Sequence, residues 1–431
     1  MNTDIKYRAW ALVAGILILI ACATISVEKK PQMEEFPILA WFSVLGDEVT
    51  KERYVEMREA GFNISFSHFG TAQEVERALN ESNGTGVKIL MTCKELEQEP
   101  EKTVLHFKDH PNLMGYFLRD EPTCREFDEL AKWAKRIKSV DSSKLLYLNL
   151  FPNYASLGHL GVKTYLEYVE RFIKEVQLGL VSFDHYPICF EGVRPEYYAN
   201  LEDIAKAAKA AGEPFWAFAL STAHDPYPVP NDAHIRFQIF SNLAYGAQGL
   251  QYFTYTTPLG TRWNFHNAPI DENGKRTEVY DVVARVNKEV HALTDVFLGA
   301  EVLSVRHTGD VIPEGTKALY DGKENVLPSM FGRLESENEG FVVSHFKNGR
   351  HEYLMLVNKS IEKEQRVRFS SLSKTSAEEE FNKAGSKELP KAFQKGSKVK
   401  RVMPDGTRVP ASDYELSLAI APGDMVLFQL K

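Results

Sequence analysis

The run Gly115-Tyr116-Phe117-Leu118-Arg119-Asp120-Glu121-Pro122-Thr123 sets two carboxylates side by side where an apolar strand stops. Pro122 cannot donate a ladder hydrogen bond, so the strand ends there and a helix can begin just beyond. Neighbouring strand residues point to opposite faces, so one acid is expected to project into a site while the other supports it. Like charges held close raise the pKa of one partner and can keep a carboxylic acid protonated near neutral pH. A general acid for cleaving a glycosidic bond needs that property. The competing reading is a solvated strand end whose Asp or Glu caps the next helix. Where the chain places the pair decides between them.

From Phe36 to about Ala300, apolar strand-like runs alternate with amphipathic helical runs, the pattern of βα repetition and a parallel sheet. Strands are predicted over 38–42, 64–67, 87–92, 113–118, 145–150, 178–183, 215–220 and 250–254. Helical segments such as 51–60, 72–79, 124–137, 165–176, 201–210 and 235–244, with a last long one over 278–297, bring the count to eight strands and eight helices. This is the inventory of a (β/α)8 TIM barrel. A doubly wound sheet has the same alternation, but no Gly-rich phosphate loop follows the first strand. Beyond residue 300 the helical period disappears. Short strands over 353–357, 365–369, 399–403, 416–420 and 425–430, with turn signals at Pro404-Asp405-Gly406 and Pro422-Gly423-Asp424, predict a small all-β antiparallel sandwich. The Lys/Glu/Ser-rich stretch 373–398 reads as a surface excursion.

In a barrel, residues at the C-terminal ends of the strands line the site. Strand one then supplies Trp41, strand two His68, strand four Arg119, Asp120 and Glu121, and strand five Asn149. Strand six supplies Asp184, His185 and Tyr186, strand seven Trp216 within it and Ser221 to His224 at its end, and strand eight Tyr252. Aromatic faces stack on the apolar faces of sugar rings while amides, imidazoles and carboxylates hydrogen-bond hydroxyls, so this lining suits a carbohydrate. Each residue has a plainer alternative: Trp41 as barrel filling, His68 and His185 as structural histidines, Tyr252 as core, and Arg119 as the partner of an acid.

These residues carry a resemblance. Asp120-Glu121-Pro122 resembles the Asn-Glu-Pro that ends strand four in the clan of retaining (β/α)8 glycoside hydrolases that includes families 5 and 42, with Asp in place of Asn. Asp184-His185-Tyr186 is similar to the His-x-Tyr or Asn-x-Tyr element ending strand six, and residues 236–255 resemble helix seven and strand eight of the same group. The resemblance implies an enzyme that hydrolyses O-glycosidic bonds, with Glu121 as general acid/base and no cofactor. One departure matters: the clan's nucleophile is a Glu at the end of strand seven, and Phe215 to Thr222 contains no acid. Glu213 precedes that strand, and Asp225 follows it in a Pro-rich loop. Three mechanisms stay open. Asp184 activates water for inversion, which needs roughly 6.5–9.5 Å between carboxyls. Alternatively a 2-acetamido group of the substrate attacks, held by Asp120, as in families that use a strand-four Asp-Glu pair on N-acetylhexosamines. Or Asp225 or Asp184 is the nucleophile, at roughly 5–5.5 Å from Glu121. The missing acid also supports a rival reading, a non-catalytic carbohydrate-binding lipoprotein on a degenerate barrel.

The chain's 431 residues are 44% hydrophobic and 26% charged, with a net charge of -8. No basic stripe is available to neutralise phosphates, which argues against a nucleic-acid partner. Lys6 and Arg8 precede an apolar stretch over 11–21, too short to span a bilayer comfortably. It ends in Leu19-Ile20-Ala21-Cys22, which resembles the lipobox of bacterial lipoprotein signal peptides and implies lipidation of Cys22. The expected organisation is a signal peptide over 1–21, a tether over 22–35, a catalytic barrel over 36–300 and a β-sandwich over 301–431. The expected location is the cell envelope, on a membrane, facing the periplasm or the surface; the expected partner is an oligo- or polysaccharide. Cys93, Cys124 and Cys189 match no metal spacing and are expected as buried or free thiols, with a Cys93–Cys124 bridge as the other option.

Overall fold

The computed structural model describes residues 34–320, 327–336, 338–370, 390–412 and 416–430. The signal peptide, Cys22 and most of the tether and of the 373–398 excursion lie outside these.

Eight parallel strands carry the N-terminal two thirds: β1 Ile38–Trp41, β2 Ile64–Phe66, β3 Lys88–Met91, β4 Leu113–Asp120, β5 Leu145–Asn149, β6 Val181–Phe183, β7 Phe215–Leu220 and β8 Gly249–Phe253. They pair in the order β5-β4-β3-β2-β1-β8-β7-β6. Leu150 bridges to Phe183, its amide donating to the Ser182 carbonyl at 2.8 Å, and this joins the two ends of the sheet. The fold is the expected (β/α)8 barrel, followed by antiparallel sheets.

The helices start where hydroxyl or amide side chains take up free backbone N–H groups. Thr50, Thr71, Thr164, Asn231 and Thr277 each cap a helix in this way. In Tyr165–Val176 the buried residues Tyr165, Tyr168, Val169, Phe172 and Val176 follow the three-and-four spacing that gives one apolar face. The long helix predicted over 278–297 is two, Glu278–Ala292 and Thr294–Phe297, broken at Leu293. Between β3 and β4 lie two unforeseen helices, Lys94–Gln98 and Pro100–Phe107. Pro100 stands in the first turn of the second, where its missing N–H costs nothing.

Side chains fill the barrel interior. The Trp41 ring lies 4.3 Å from Phe66, 5.5 Å from Phe117, 6.0 Å from Tyr147 and 5.3 Å from Phe218, centroid to centroid. Deeper down, the Trp216 indole occupies space that a side chain at Gly249 would take: a Cβ there would stand 2.5 Å from the indole nitrogen.

The antiparallel region has six strands in one sheet, β9 Glu301–His307, β11 Phe341–Asn348, β12 His351–Asn358, β17 Met425–Gln429, β14 Lys400–Val402 and β15 Arg408–Pro410, paired in that order. Three more, β10 Arg333–Ser336, β13 Gln365–Ser370 and β16 Ser417–Ile420, form the second. Alternation along β11 and β12 divides the larger sheet between two cores. Val343, Leu354 and Leu356 join Leu334, Val367 and Phe369 of the smaller sheet, while Val342, Phe346, Met355 and Val357 join the barrel core.

Candidate active site

Two backbone features bring the acids together. Between Phe117 and Asp120 the register of β4 against β5 shifts by one residue, so that Asp120 comes opposite Asn149. Such a bulge re-aims the side chains beyond it. Glu121 then takes a left-handed conformation, φ 47°, with its amide donating to the Asn149 carbonyl at 2.8 Å. A non-glycine residue held there stores strain of about 1–3 kcal/mol, which is typical of functional turns. The expectation that the two acids split between opposite faces is therefore corrected: the bulge breaks the alternation, and both carboxyls reach the mouth.

Asp184, at the end of β6, completes a group of three. Asn149 donates from Nδ2 to Asp184 Oδ1 at 2.7 Å and to Asp120 Oδ1 at 3.3 Å. Asp184 and Glu121 act directly on each other's protonation. Asp120 keeps access to solvent through the mouth yet is ringed by protein. That surrounding raises its carboxyl to about 6, against the lowering effect of the Asn149 amide. Glu121, half-buried, is raised to about 7 by desolvation and by the charge of Asp120, while the hydrogen bond with Asp184 works the other way. Asp184 is buried and held well above the ordinary carboxylate range by burial and then by its two acidic neighbours. Three such groups cannot all be charged at neutral pH, so the site retains protons.

The other expected contacts divide. His68 is exposed at the mouth, its ring 4.9 Å from Phe66 and 5.6 Å from Phe117. Tyr186 is half-buried beside Phe253, at 5.7 Å. Asn149 is buried and holds the acids rather than facing the opening. Arg119 turns to Glu97 at 3.9 Å. Trp41 and Trp216 are barrel filling, as described above. His185 is buried between Tyr154 and Tyr197, at 5.0 and 5.2 Å, and burial lowers it to about 3, so it is neutral. Tyr252 points out of the barrel, its hydroxyl donating to Asn287 Oδ1 of the last long helix at 2.7 Å. The interior positions of β8 are its neighbours Gln251 and Phe253.

At the end of β7, the Ser221 and Thr222 hydroxyls donate to the carbonyls of Thr254 and His266, at 2.8 and 3.2 Å. Asp225 lies in the following exposed loop and accepts from Asn264 Nδ2 at 3.2 Å. Cys93, Cys124 and Cys189 are free thiols, and the described residues contain no cluster able to hold a metal ion.

An aromatic wall was missed by the sequence reading because it lies in loops, where no periodicity marks it. The Arg194 guanidinium lies 4.8 Å from the Tyr154 ring and 5.8 Å from Tyr227. Tyr227 is followed by His224 at 4.8 Å, and His224 by Phe265 at 4.4 Å and Trp263 at 6.1 Å. Trp263 is half exposed. The wall is built by the loops after β5, β6, β7 and β8.

Those loops fall within a segment with known relatives. Residues 154–293 match the model of glycoside hydrolase family 42, described as beta-galactosidase. The fold is similar to the beta-galactosidase of Bacillus circulans sp. alkalophilus, with a TM-score of 0.60 at 8% identity, covering 93% of this chain and 100% of that one. The chain resembles the (β/α)8 glycoside hydrolases of families 42 and 5. A family 5 glycoside hydrolase from Bacteroides vulgatus aligns with a TM-score of 0.50 at 14% identity, over 91% of this chain and 89% of that one. The beta-galactosidase of the psychrophilic Marinomonas ef1 aligns with a TM-score of 0.45 at 10% identity over 60% of each chain, so this protein spans only part of that enzyme's length. No curated protein sequence matches. The fold is that of the (β/α)8 barrels, and residues 154–293 match one glycosidase family; the chemistry this barrel performs rests on its own residues.

Proposed function

We propose that this protein is an exported, membrane-tethered glycoside hydrolase with Glu121 as general acid/base. The observation that carries the reading is the group of Asp120, Glu121 and Asp184 at the barrel mouth, raised together so that a proton is available near pH 7. Glu121 and Asp184 bear directly on each other's protonation, whereas an inverting pair stands roughly 6.5–9.5 Å apart with a water between the carboxyls. The end of β7 offers hydroxyls bound to backbone in place of an acid. Both observations favour a nucleophile supplied by the substrate. In that reaction Glu121 protonates the leaving oxygen as the 2-acetamido carbonyl oxygen bonds to the anomeric carbon. Asp120 accepts from the acetamido N–H and takes up its developing charge. Glu121, now a carboxylate, then deprotonates the water that opens the cyclic intermediate, with net retention.

The test is a panel of aryl glycosides with and without a 2-acetamido group, β-galactosides included because the matched family carries that name. Turnover of the 2-acetamido substrates with a retained first-formed anomer is expected. Equal turnover of plain galactosides would remove the substrate-assisted mechanism. Saccharide binding without turnover of any substrate, unchanged by Glu121→Gln, would establish the second reading, a carbohydrate-binding lipoprotein, which the acid-free end of β7 favours.

The aromatic wall suits a saccharide longer than one ring, since exposed aromatic faces stack on sugars. Trp263→Ala is expected to raise KM for oligosaccharides by about 5–10-fold and leave an aryl monosaccharide unaffected, a stacking contribution of about 1–1.5 kcal/mol. Equal effects on both substrates would place Trp263 outside any extended subsite. The tether is proposed from residues 11–22: incorporation of labelled palmitate that is lost in Cys22→Ala supports it, and incorporation that survives this change refutes it.

A further inference from the structure

The three acids stand on a polar column inside the barrel that no step of the proposed reaction uses. Tyr147 donates its phenolic hydrogen to Gln251 Oε1. Gln251 Nε2 donates to Ser182 Oγ at 2.9 Å, and Ser182 Oγ to Asn149 Oδ1 at 3.0 Å. Asn149 Nδ2 then donates to Asp184 and Asp120. The Tyr147 and Ser182 hydroxyls are also 2.8 Å apart. All four side chains are buried, three of them completely.

Counting hydrogens fixes the direction of the column. A phenol and a serine have one hydrogen each, and an amide has donors on one atom only. With the Tyr147 hydrogen spent on Gln251 Oε1, Gln251 must present Nε2 to Ser182. Ser182 then accepts from Gln251, and its hydrogen goes to Asn149 Oδ1, which has no other donor here. An Asn149 amide turned over would set Oδ1 against two carboxylate oxygens and leave Nδ2 facing a hydroxyl.

We propose that Gln251 is a positioning residue that acts through Ser182: it fixes the direction in which the Asn149 amide faces and so sets how many protons Asp120, Glu121 and Asp184 share. The proposal rests on the reading of these three as the reacting group, but its test does not require turnover. The remaining groups bearing on the acids do not compete as titrants near neutral pH. Tyr147, Tyr154, Tyr165, Tyr168 and Tyr186 are all pushed up by burial and stay neutral. His185 is neutral, and Arg194 bears on Tyr154 and His185.

The experiment is a 13C NMR titration from pH 4 to 9 of protein labelled at the aspartate carboxyl carbon, with Asp120 and Asp184 assigned through Asp120→Asn and Asp184→Asn. Gln251→Met removes both the acceptor for Tyr147 and the donor to Ser182. Ser182 can then turn its hydrogen to Tyr147, and the Asn149 amide is no longer held. Loss of a donor to the charged form raises a carboxyl pKa. The Asp120 and Asp184 titrations are expected to move up by about half a unit or more, about a threefold change in Ka. Ser182→Ala should do the same, while Ser182→Thr, which keeps the hydroxyl, should titrate as the parent does. If Gln251→Met does not fold, Tyr147→Phe, which frees the Gln251 amide to turn, reads the same upward shift. Folded Gln251→Met or Tyr147→Phe with unmoved titrations would overturn the proposal. A shift without glycosidase activity would leave it standing and remove only the function proposed above.

Discussion

Glu121→Gln should lower kcat/KM by about 10²–10⁴-fold on substrates with poor leaving groups, the range for loss of a general acid. The amide keeps the shape of the carboxyl but cannot deliver a proton. Leaving groups that depart readily as anions need less protonation, so an activated aryl glycoside should lose less than an alkyl one. The parent's activity should fall as pH rises through about 7, where Glu121 ionises, and this limb should vanish in the variant. On the acid side, activity should rise as Asp120 loses its proton near 6, in both proteins. A loss that is equal for activated and unactivated substrates would assign Glu121 a role other than proton donor.

The same shifts make a stability statement of unusual sign. Asp120 and Glu121 carry pKa values above those of free carboxyls, so the native state binds more protons than the unfolded chain between about 4.5 and 7. Stability conferred by the protonated forms is present at low pH and is lost as pH rises through the folded pKa values. Glu121→Gln removes one of the clustered charges. Its melting temperature should therefore exceed the parent's at pH 8 and approach it at pH 5. Reduced activity together with raised stability would identify a strained reacting group rather than a damaged fold.

This site was legible wherever chemistry coincided with a strand end. Strand counting sets Asp120, Glu121 and Asp184 at one end of the barrel, because the barrel gathers strand ends whatever their sequence separation. What the sequence did not disclose is phase. Gln251 and Tyr252 are neighbours on a buried strand with apolar residues on both faces, so no alternation indicates which one faces inward. The choice of Tyr252 was wrong by one residue, and the inward position holds the glutamine of the polar column. The bulge before Asp120 is equally silent, since it depends on the pairing of β4 with β5 and not on either strand alone. Helix Pro100–Phe107 was missed because its surroundings are dominated by Glu and Lys. The aromatic wall spans four loops, and only their convergence at one end of the barrel makes it a surface.

The joint between the barrel and the antiparallel region gives the largest expected effect on stability. Arg236, on helix Asp232–Ala244, donates to Asp232 at 2.8 Å, to Glu289 of helix Glu278–Ala292 at 2.9 Å and to Asp424 of the turn before β17 at 2.9 Å. Only 11% of its side chain is exposed, and 14% of that of Glu289. The turn comes this close because of Gly423, φ +66°, where a Cβ would lie 2.2 Å from the Ala233 carbonyl oxygen. Asp232 has a second cation in Arg285, at 2.6 Å, and Asp424 is a third exposed, so neither depends wholly on Arg236. Glu289 has no such reserve: among the described residues its ion pairs are to Arg236 alone. Removing one partner of a buried pair leaves an uncompensated charge and costs about 3–5 kcal/mol. Arg236→Met should lie near the lower figure, because Asp232 and Asp424 keep a second cation or solvent, and urea unfolding should show the loss. Arg236→Met combined with Glu289→Leu should recover much of the loss, since an apolar pair of similar volume is often neutral. A single-variant cost below about 1 kcal/mol would place this network with ordinary surface ion pairs. The apolar contact of β11 and β12 with the barrel would then hold the two parts together by itself.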